Sequence, residues 1–316
     1  MRLNPKIERG WRCPGPAGTP AALALAGALC VGDAGPAQAG KARDYLNAPK
    51  DTWISFVSLG YARSVSPVVG GAEFGVAGIE TDVVSQSLIL SRILDVGGRT
   101  GAVSLILPRA GIEAAAGRFR ASDDGLGDIG FGAEVNLFGA PALPREEFRA
   151  WTPEPFASIH FIATAPTGTY DPDRRVNVGA NRWSLTSTLN YSHTPDEGAT
   201  WLEAYASVSV FTDNDDAPGA GGRLSQDTLV QFEGHASRNV SPDLWLSADL
   251  YYATGGATEI DGLALGNAAD TLRLGAGLGW RLGALGQILF NIDAVVAKPD
   301  DQPDGWGLRL TWARSW

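Results

Sequence analysis

The chain has 316 residues, including 40 glycines and 10 tryptophans, and its formal net charge is −10. This acidic balance has the wrong sign for binding the phosphate backbone of a nucleic acid, which excludes that class of partner. The glycine and aromatic content fits many short strands with aromatic ends better than a helical protein.

The first 39 residues have the pattern of a secretory signal peptide. A basic start is followed by an apolar run over about 21–31 and then by Ala37-Gln38-Ala39, whose small outer residues suit signal peptidase. The apolar run is shorter than the roughly 20 residues that a membrane-spanning helix needs. We therefore expect cleavage after Ala39, a signal peptide over 1–39 and a single mature domain over 40–316.

Removing the signal peptide changes both the cysteine content and the charge. Cys13 and Cys30 both lie within it, so the mature chain cannot contain a disulfide. Four of the 25 Lys/Arg and two of the 35 Asp/Glu leave with it, so 21 basic and 33 acidic residues remain, a net charge of about −12.

The segment 128–137, DIGFGAEVNL, separates into two faces with a period of two. Ile129, Phe131 and Val135 lie on one face, while Asp128 and Glu134 lie on the other. This alternation is typical of a strand with one apolar and one polar face. In a soluble sandwich the apolar face would contact a second sheet, whereas in an outer-membrane barrel it would contact lipid.

Twelve segments after a short polar lead (40–51) show this alternation, although the second has an ambiguous register. They cover 53–62, 82–93, 100–107, 128–137, 157–163, 181–192, 201–211, 228–237, 244–252, 272–281, 288–296 and 306–316. An even number of strands of roughly 9–11 residues suits a bacterial outer-membrane barrel. The connections after odd segments, such as 111–127 and 166–179, tend to be long and polar, and those after even segments tend to be short. The sequence thus predicts an all-β, antiparallel transmembrane barrel with long external loops, and a sandwich gives no reason for this asymmetry.

Aromatic residues near the segment ends support the same fold. Trp183, Trp280, Trp306 and Trp312 would contribute to an interfacial girdle. Trp316 ends the chain on the lipid face, as is common in closing strands of barrels. Arg314 falls on that face too and would have to reach the interface. The alternative is that these aromatics fill a sandwich core.

Four blocks of the mature chain resemble one family. GLGDIGFGAEVNLFGAPAL (125–143), PTGTYDPDRRVNVGANRWS (166–184), FTDNDD (211–216) and LWLSADLYYATGGATEIDG (244–262) occur in order and are similar to the "MetA-pathway of phenol degradation" family. The resemblance implies an outer-membrane barrel that passes aromatic or other hydrophobic compounds into cells that degrade them. Arg314 replaces a tyrosine expected near the end of the family's closing strand.

The charged and aromatic residues on the inward faces are the candidate site. Mixed charges would be intolerable in a dry core unless paired, but they can pair across strands around water in a lumen. Aromatic members could offer surface to an apolar solute. The alternative is that these inward side chains only fill a narrow closed barrel. The predicted lumen-lining residues are Glu134, His160, Arg182, Glu203, Tyr205, Glu233, Trp245, Asp249, Tyr251, Arg273, Arg281, Asp293 and Arg309.

Other motifs give little indication of chemistry. The sequence 125–130 matches G-x-G-x-x-G, but a strand follows it where a dinucleotide site needs a helix, so we expect no cofactor. Three histidines without a mature cysteine do not predict a metal site. Ser158 and His160 share an inward face, with Asn190 as a third polar candidate, which leaves a lumenal lipid hydrolase as an alternative.

These observations predict a passive outer-membrane channel for small hydrophobic compounds, which could include aromatic ones, rather than an enzyme. Its expected partners are outer-membrane lipids, the solute and, during insertion, the barrel-assembly machinery. The alternatives are the lipid hydrolase, with Ser158 and His160 as its reactive pair, and a structural or adhesive barrel without transport. The structural barrel would gain support if side chains or the lead of 40–51 blocked the lumen.

Overall fold

The computed structural model describes residues 40–67, 78–219 and 221–316. The predicted signal peptide, its cysteines and Ala39 lie outside these residues. Sixteen strands occur in the described residues, and twelve of them form the wall of a barrel. These are β1 (Trp53–Ser66), β2 (Ile79–Val96), β3 (Arg99–Ala116), β5 (Ile129–Phe138), β6 (Phe156–Ala165), β7 (Ser184–His193), β8 (Thr200–Phe211), β10 (Leu229–Asn239), β11 (Leu244–Gly255), β14 (Ala269–Arg281), β15 (Gln287–Ala297) and β16 (Asp304–Ser315).

The barrel closes because the first strand pairs with both the second and the last. Leu59 of β1 lies opposite Gln86 of β2 on one side and opposite Leu310 of β16 on the other. Every neighbouring pair is antiparallel. The predicted closed, twelve-stranded antiparallel barrel is confirmed, and two stacked sheets are excluded.

Exposure alternates along the strands in the opposite sense to a soluble protein. On β8, outward Leu202, Val208 and Val210 are about half exposed, whereas inward Glu203 and Tyr205 are buried. Apolar side chains that point away from the barrel would be unfavourable in water and favourable in lipid. The outer face is therefore suited to a membrane and the inner face to a polar lumen.

The structure corrects the predicted polar loop over 111–127. There β3 continues to Ala116, and β4 (Phe119–Leu126) turns back to pair with its upper half. Inward apolar residues of this extension pack against the connection 166–183 and form a cluster that we call the loop core: Ile112, Ala114, Ala116, Val176 and Val178. The same external end also carries the small sheet of β9 (Leu224–Gln226), β12 (Thr258–Ile260) and β13 (Leu263–Ala264).

The opposite end of the barrel has shorter connections, such as 97–98 between β2 and β3 and 240–243 between β10 and β11. The connection 139–155 is an exception to the short connections at this end, as the predicted segments on either side of it already imply, and contains a short helix, α1 (Arg145–Ala150). In the part of the chain that is described, no helix combines the length and apolar character needed to cross a membrane.

Candidate functional site

The lead, residues 40–51, enters the lumen from the end with the short turns. At the end of the lead next to β1, Asp51 N donates to Ile93 O at 3.1 Å and Lys50 N donates to Leu143 O at 2.9 Å. Farther along, Asn47 Nδ2 donates to Pro141 O at 3.2 Å. These bonds fix the lead to β2 and to the β5–β6 connection.

The middle of the lead packs on aromatic side chains of the wall. Leu46 contacts a buried group that includes Phe156 and Trp201. The ring centroid of Tyr45 lies 3.9 Å from that of His160 and 4.8 Å from that of Tyr205. The lead thus covers two of the predicted lumen residues instead of leaving them open to a solute.

The lead binds the wall through its backbone and through its basic side chains. The backbone nitrogen of Arg43 donates to Glu203 Oε2 at 2.9 Å, and the Arg43 guanidinium lies 4.8 Å from the ring of Trp245. Lys41 Nζ is 3.8 Å from Asp293 Oδ1. Because a charged group in a confined lumen needs a partner, this complementarity explains why the lead binds to the wall formed by β8 to β15.

The wall beneath the lead is itself a network of charges. His235 lies between two carboxylates, with Nδ1 2.8 Å from Asp249 Oδ1 and Nε2 3.3 Å from Glu233 Oε2. Arg273 Nε donates to Asp293 Oδ2 at 2.7 Å. His235 was not among the predicted lumen residues, although its inward position on a polar face was the signal that could have identified it.

A second polar group is formed by Glu134 of β5, Ser158 and His160 of β6, and Asn190 of β7. The Oγ of Ser158 is 2.7 Å from His160 Nε2, and His160 Nδ1 is 3.3 Å from Glu134 Oε2. Asn190 Nδ2 donates to Ser158 Oγ at 3.0 Å. Strand pairing places Glu134 opposite His160 and Ser158 opposite Asn190. The order Ser–His–Glu is that of a nucleophile, a base and its orienting carboxylate.

The remaining predicted lumen-lining residues lie at different levels along the barrel axis. Tyr251 and Arg309 lie near Lys41, whose Nζ is 4.7 Å from the Tyr251 ring centroid and which lines a small cavity together with Arg309. Arg281 ends β14 and is exposed at the short-turn end. Arg182 precedes β7, although the sequence placed it within a strand. Its guanidinium contacts Gln226 of β9 and lies over the Phe211 ring, so it belongs to the external loops.

The inner face of β1 to β3 differs from the rest of the lumen. Ser58 Oγ is 2.8 Å from Thr311 Oγ1, and Ser91 Oγ is 2.8 Å from Ser104 Oγ, which shows which residues point inward. The inward residues along the middle of these strands carry no charge, and we call them the uncharged sector: Ile54, Phe56, Ser58, Gly60, Ser85, Ser87, Ile89, Ser91, Ala102, Ser104 and Ile106. The lumen therefore has one sector bound by the lead and one sector of apolar and hydroxyl side chains.

Comparisons with known proteins agree with this architecture. A profile of the family described as "Putative MetA-pathway of phenol degradation" matches residues 55–312. No significant match is found among curated proteins. Among solved structures, the fold is similar to the COG4313 outer membrane channel from Pseudomonas putida F1, with a TM-score of 0.75, 19% identity, and coverage of 88% of this chain and 100% of that chain.

Two autotransporter structures share the barrel more distantly. The beta domain of Bordetella BrkA gives a TM-score of 0.54 at 12% identity, covering 84% of this chain and 100% of that one. The AIDA-I transport unit from Escherichia coli gives 0.53 at 11% identity, covering 93% and 98%. At these identities the likeness concerns the fold alone.

Proposed function

The chain belongs to the "MetA-pathway of phenol degradation" family, and we propose from this premise that it is an outer-membrane channel for passive uptake of small hydrophobic compounds, aromatic ones among them. The solute is bound and released without being altered, so no enzymatic step is involved. Outer-membrane lipid covers the apolar outer face, and barrel-assembly machinery inserts the chain. The similar channel from Pseudomonas putida F1 supports the location and the class of function.

The observation that carries this proposal is the division of the lumen. Charged groups of β8 to β15 bind one another and the lead, as Arg273 with Asp293 and the backbone nitrogen of Arg43 with Glu203 illustrate. The uncharged sector presents Phe56, Ile89 and Ile106 instead. Contact with such apolar surface stabilises a bound apolar solute, whereas contact with paired charges would destabilise it. The path we propose therefore follows β1 to β3.

The test is flux through vesicles whose outer leaflet is lipopolysaccharide, because phospholipid alone lets small apolar molecules through. Toluene should enter vesicles with the protein faster than protein-free vesicles. Phe56→Glu should reduce this flux, since it places a charge in the uncharged sector, whereas Phe56→Leu at the same position should preserve it. Equal flux in all four samples would contradict the proposal.

The Ser158–His160–Glu134 geometry favours a second candidate function, hydrolysis of a lipid ester. Ser158 Oγ would attack the carbonyl carbon while His160 takes its proton, and His160 would return the proton to the departing alcohol. Water would then release the acyl group. The channel is the stronger proposal because Ser158 is fully buried and Tyr45 lies on His160. Loss of lipid hydrolysis in Ser158→Ala, with hydrolysis preserved in Ser207→Ala, would favour the enzyme.

A further inference from the structure

The inner end of the lead, Gly40, binds a carboxylate deep within the barrel. Its backbone nitrogen donates to Glu233 Oε1 at 3.2 Å, and both residues are buried. The other oxygen of Glu233 contacts His235. The nitrogen of Gly40 is thus one of two donors that surround this buried carboxylate.

The space around Gly40 suits a chain end without a side chain. A Cβ at this position would lie 3.0 Å from Tyr205 Cε2 and 3.1 Å from Glu233 Oε2. At these distances the carboxylate or the tyrosine ring would have to shift by a few tenths of an ångström. Glycine therefore suits the point where the lead meets Glu233.

The contacts of Glu233 suit a cation at the Gly40 nitrogen. His235, which contacts Glu233 Oε2, also contacts Asp249, so one imidazole is shared by two buried carboxylates. Lys41 Nζ lies 3.8 Å from Asp293, which also pairs with Arg273, and Arg43 Nε donates to Ser237. A bond from an ammonium group to the Glu233 carboxylate would be stronger than the same bond from a neutral amide.

We propose that cleavage after Ala39 creates the group that holds the lead in the lumen. Water adds across the Ala39–Gly40 peptide bond, the carboxylate stays on Ala39, and the released amine of Gly40 takes up a proton. The resulting α-ammonium forms an ion pair with Glu233. Before cleavage the same nitrogen is a neutral amide, and the lead cannot make this pair. Export processing is therefore coupled to placement of the lead. The inference does not depend on the solute or on transport.

The test combines intact mass with labelling of the purified mature protein by an amine acylating reagent at pH 7. The mass should correspond to a chain that begins at Gly40. The α-amine should label slowly, because it is buried and paired. Glu233→Gln removes the partner, and one glycine inserted between Ala39 and Gly40 moves the amine by about 3.5 Å, the reach of one residue. Both changes should raise the α-amine labelling rate by about tenfold or more, since the charge-assisted bond is lost.

Glu259→Gln is the matched control, because Glu259 lies on external strand β12 and bonds Ser225 instead of the lead. It should label as slowly as the unchanged protein. The inserted glycine leaves the barrel wall unchanged. It therefore still tests the ion pair if Glu233→Gln does not fold. A mature chain that begins elsewhere, or an α-amine in the unchanged protein that labels as fast as in a denatured chain, would overturn the inference.

Discussion

The carboxylate of Asp128 accepts a hydrogen bond from the backbone nitrogen of Gly168 at 2.7 Å. The same oxygen accepts from Thr167 N at 2.9 Å, and the other oxygen accepts from Ala180 N at 2.7 Å. One side chain at the start of β5 thus binds both ends of the connection 166–183. Two of the sequence blocks that resemble the family, 125–143 and 166–184, meet at this contact.

Asp128→Ala should loosen the connection 166–183 without unfolding the barrel. Three bonds to a charged acceptor are lost, and bonds of this kind contribute roughly 1.5–3 kcal/mol each when buried, less when partly exposed as here. We expect trypsin to cut after Arg174 or Arg175 about tenfold faster, corresponding to about 1.4 kcal/mol. Asp301→Ala, in an exposed loop, should leave the cleavage rate unchanged. Equal rates in all three proteins would contradict this role of Asp128.

Gly168→Ala should be far more harmful than Gly234→Ala. A Cβ on Gly168 would lie 2.8 Å from the carbonyl carbon of Gly127 and 2.9 Å from Asp128 N, both backbone atoms that cannot move alone. A Cβ on Gly234 meets nothing within 4 Å. Overpacking typically costs about 1–3 kcal/mol. Urea unfolding in detergent should show a loss of this size for Gly168→Ala and little change for Gly234→Ala.

Leu250→Arg tests whether lipid covers the outer wall. Leu250 lies near the middle of β11 and is 41% exposed on the outward face. In a bilayer the arginine should cost about 2–4 kcal/mol, whereas on a water-exposed surface it would cost little. Leu263→Arg on external strand β13, where the leucine is 54% exposed, should be nearly neutral. Reversible unfolding from phosphatidylcholine vesicles measures both, and equal small effects would exclude a lipid-covered Leu250.

Asp196→Asn should weaken the barrel in a pH-dependent way. In the turn between β7 and β8, the Oγ1 and backbone nitrogen of Thr200 both donate to the carboxylate, and these bonds lower the pKa of Asp196. A lowered folded pKa contributes stability above the unfolded value of about 3.9, and that contribution is lost as pH falls through the folded pKa. The urea midpoint of Asp196→Asn should lie below that of the unchanged protein at pH 7 and coincide with it near pH 2. A constant difference across this range would contradict the assignment.

The barrel could be predicted from the sequence because its pattern is repeated in twelve strands. Apart from the second, whose register is ambiguous, the strands show the same period of two, as Leu202, Glu203 and Val208 do on β8. A shift of one residue would turn a whole apolar face toward the lumen, so the register is strongly specified. The extension of β3 by β4 was missed, because its outer half is short, charged and interrupted by glycine, which is also the composition of a loop.

The sequence predicts only part of the site. Knowing that a side chain points into the barrel does not tell which residues it contacts. Glu134 and His160 were recognised as lumenal, but their contact depends on pairing between β5 and β6. The sequence identifies the lead as a segment that could block the barrel, but nothing in its pattern specifies that Tyr45 lies on His160. The sequence places Arg182 within a strand because the alternation of polar and apolar residues begins before Ser184, the first residue of β7.

The length of the β2–β3 hairpin places its external end above the bilayer. Each strand has 18 residues, which at about 3.3 Å per residue and a tilt of about 40° spans roughly 45 Å along the axis, against roughly 25–30 Å of hydrocarbon. The hairpin therefore rises some 15 Å above the fatty acyl chains on this geometry. Ile112 and Val178 of the loop core sit in this projecting part. Both side chains are buried between the hairpin and the connection 166–183, so the part of the wall that lipid does not surround is stabilised by apolar contacts of its own.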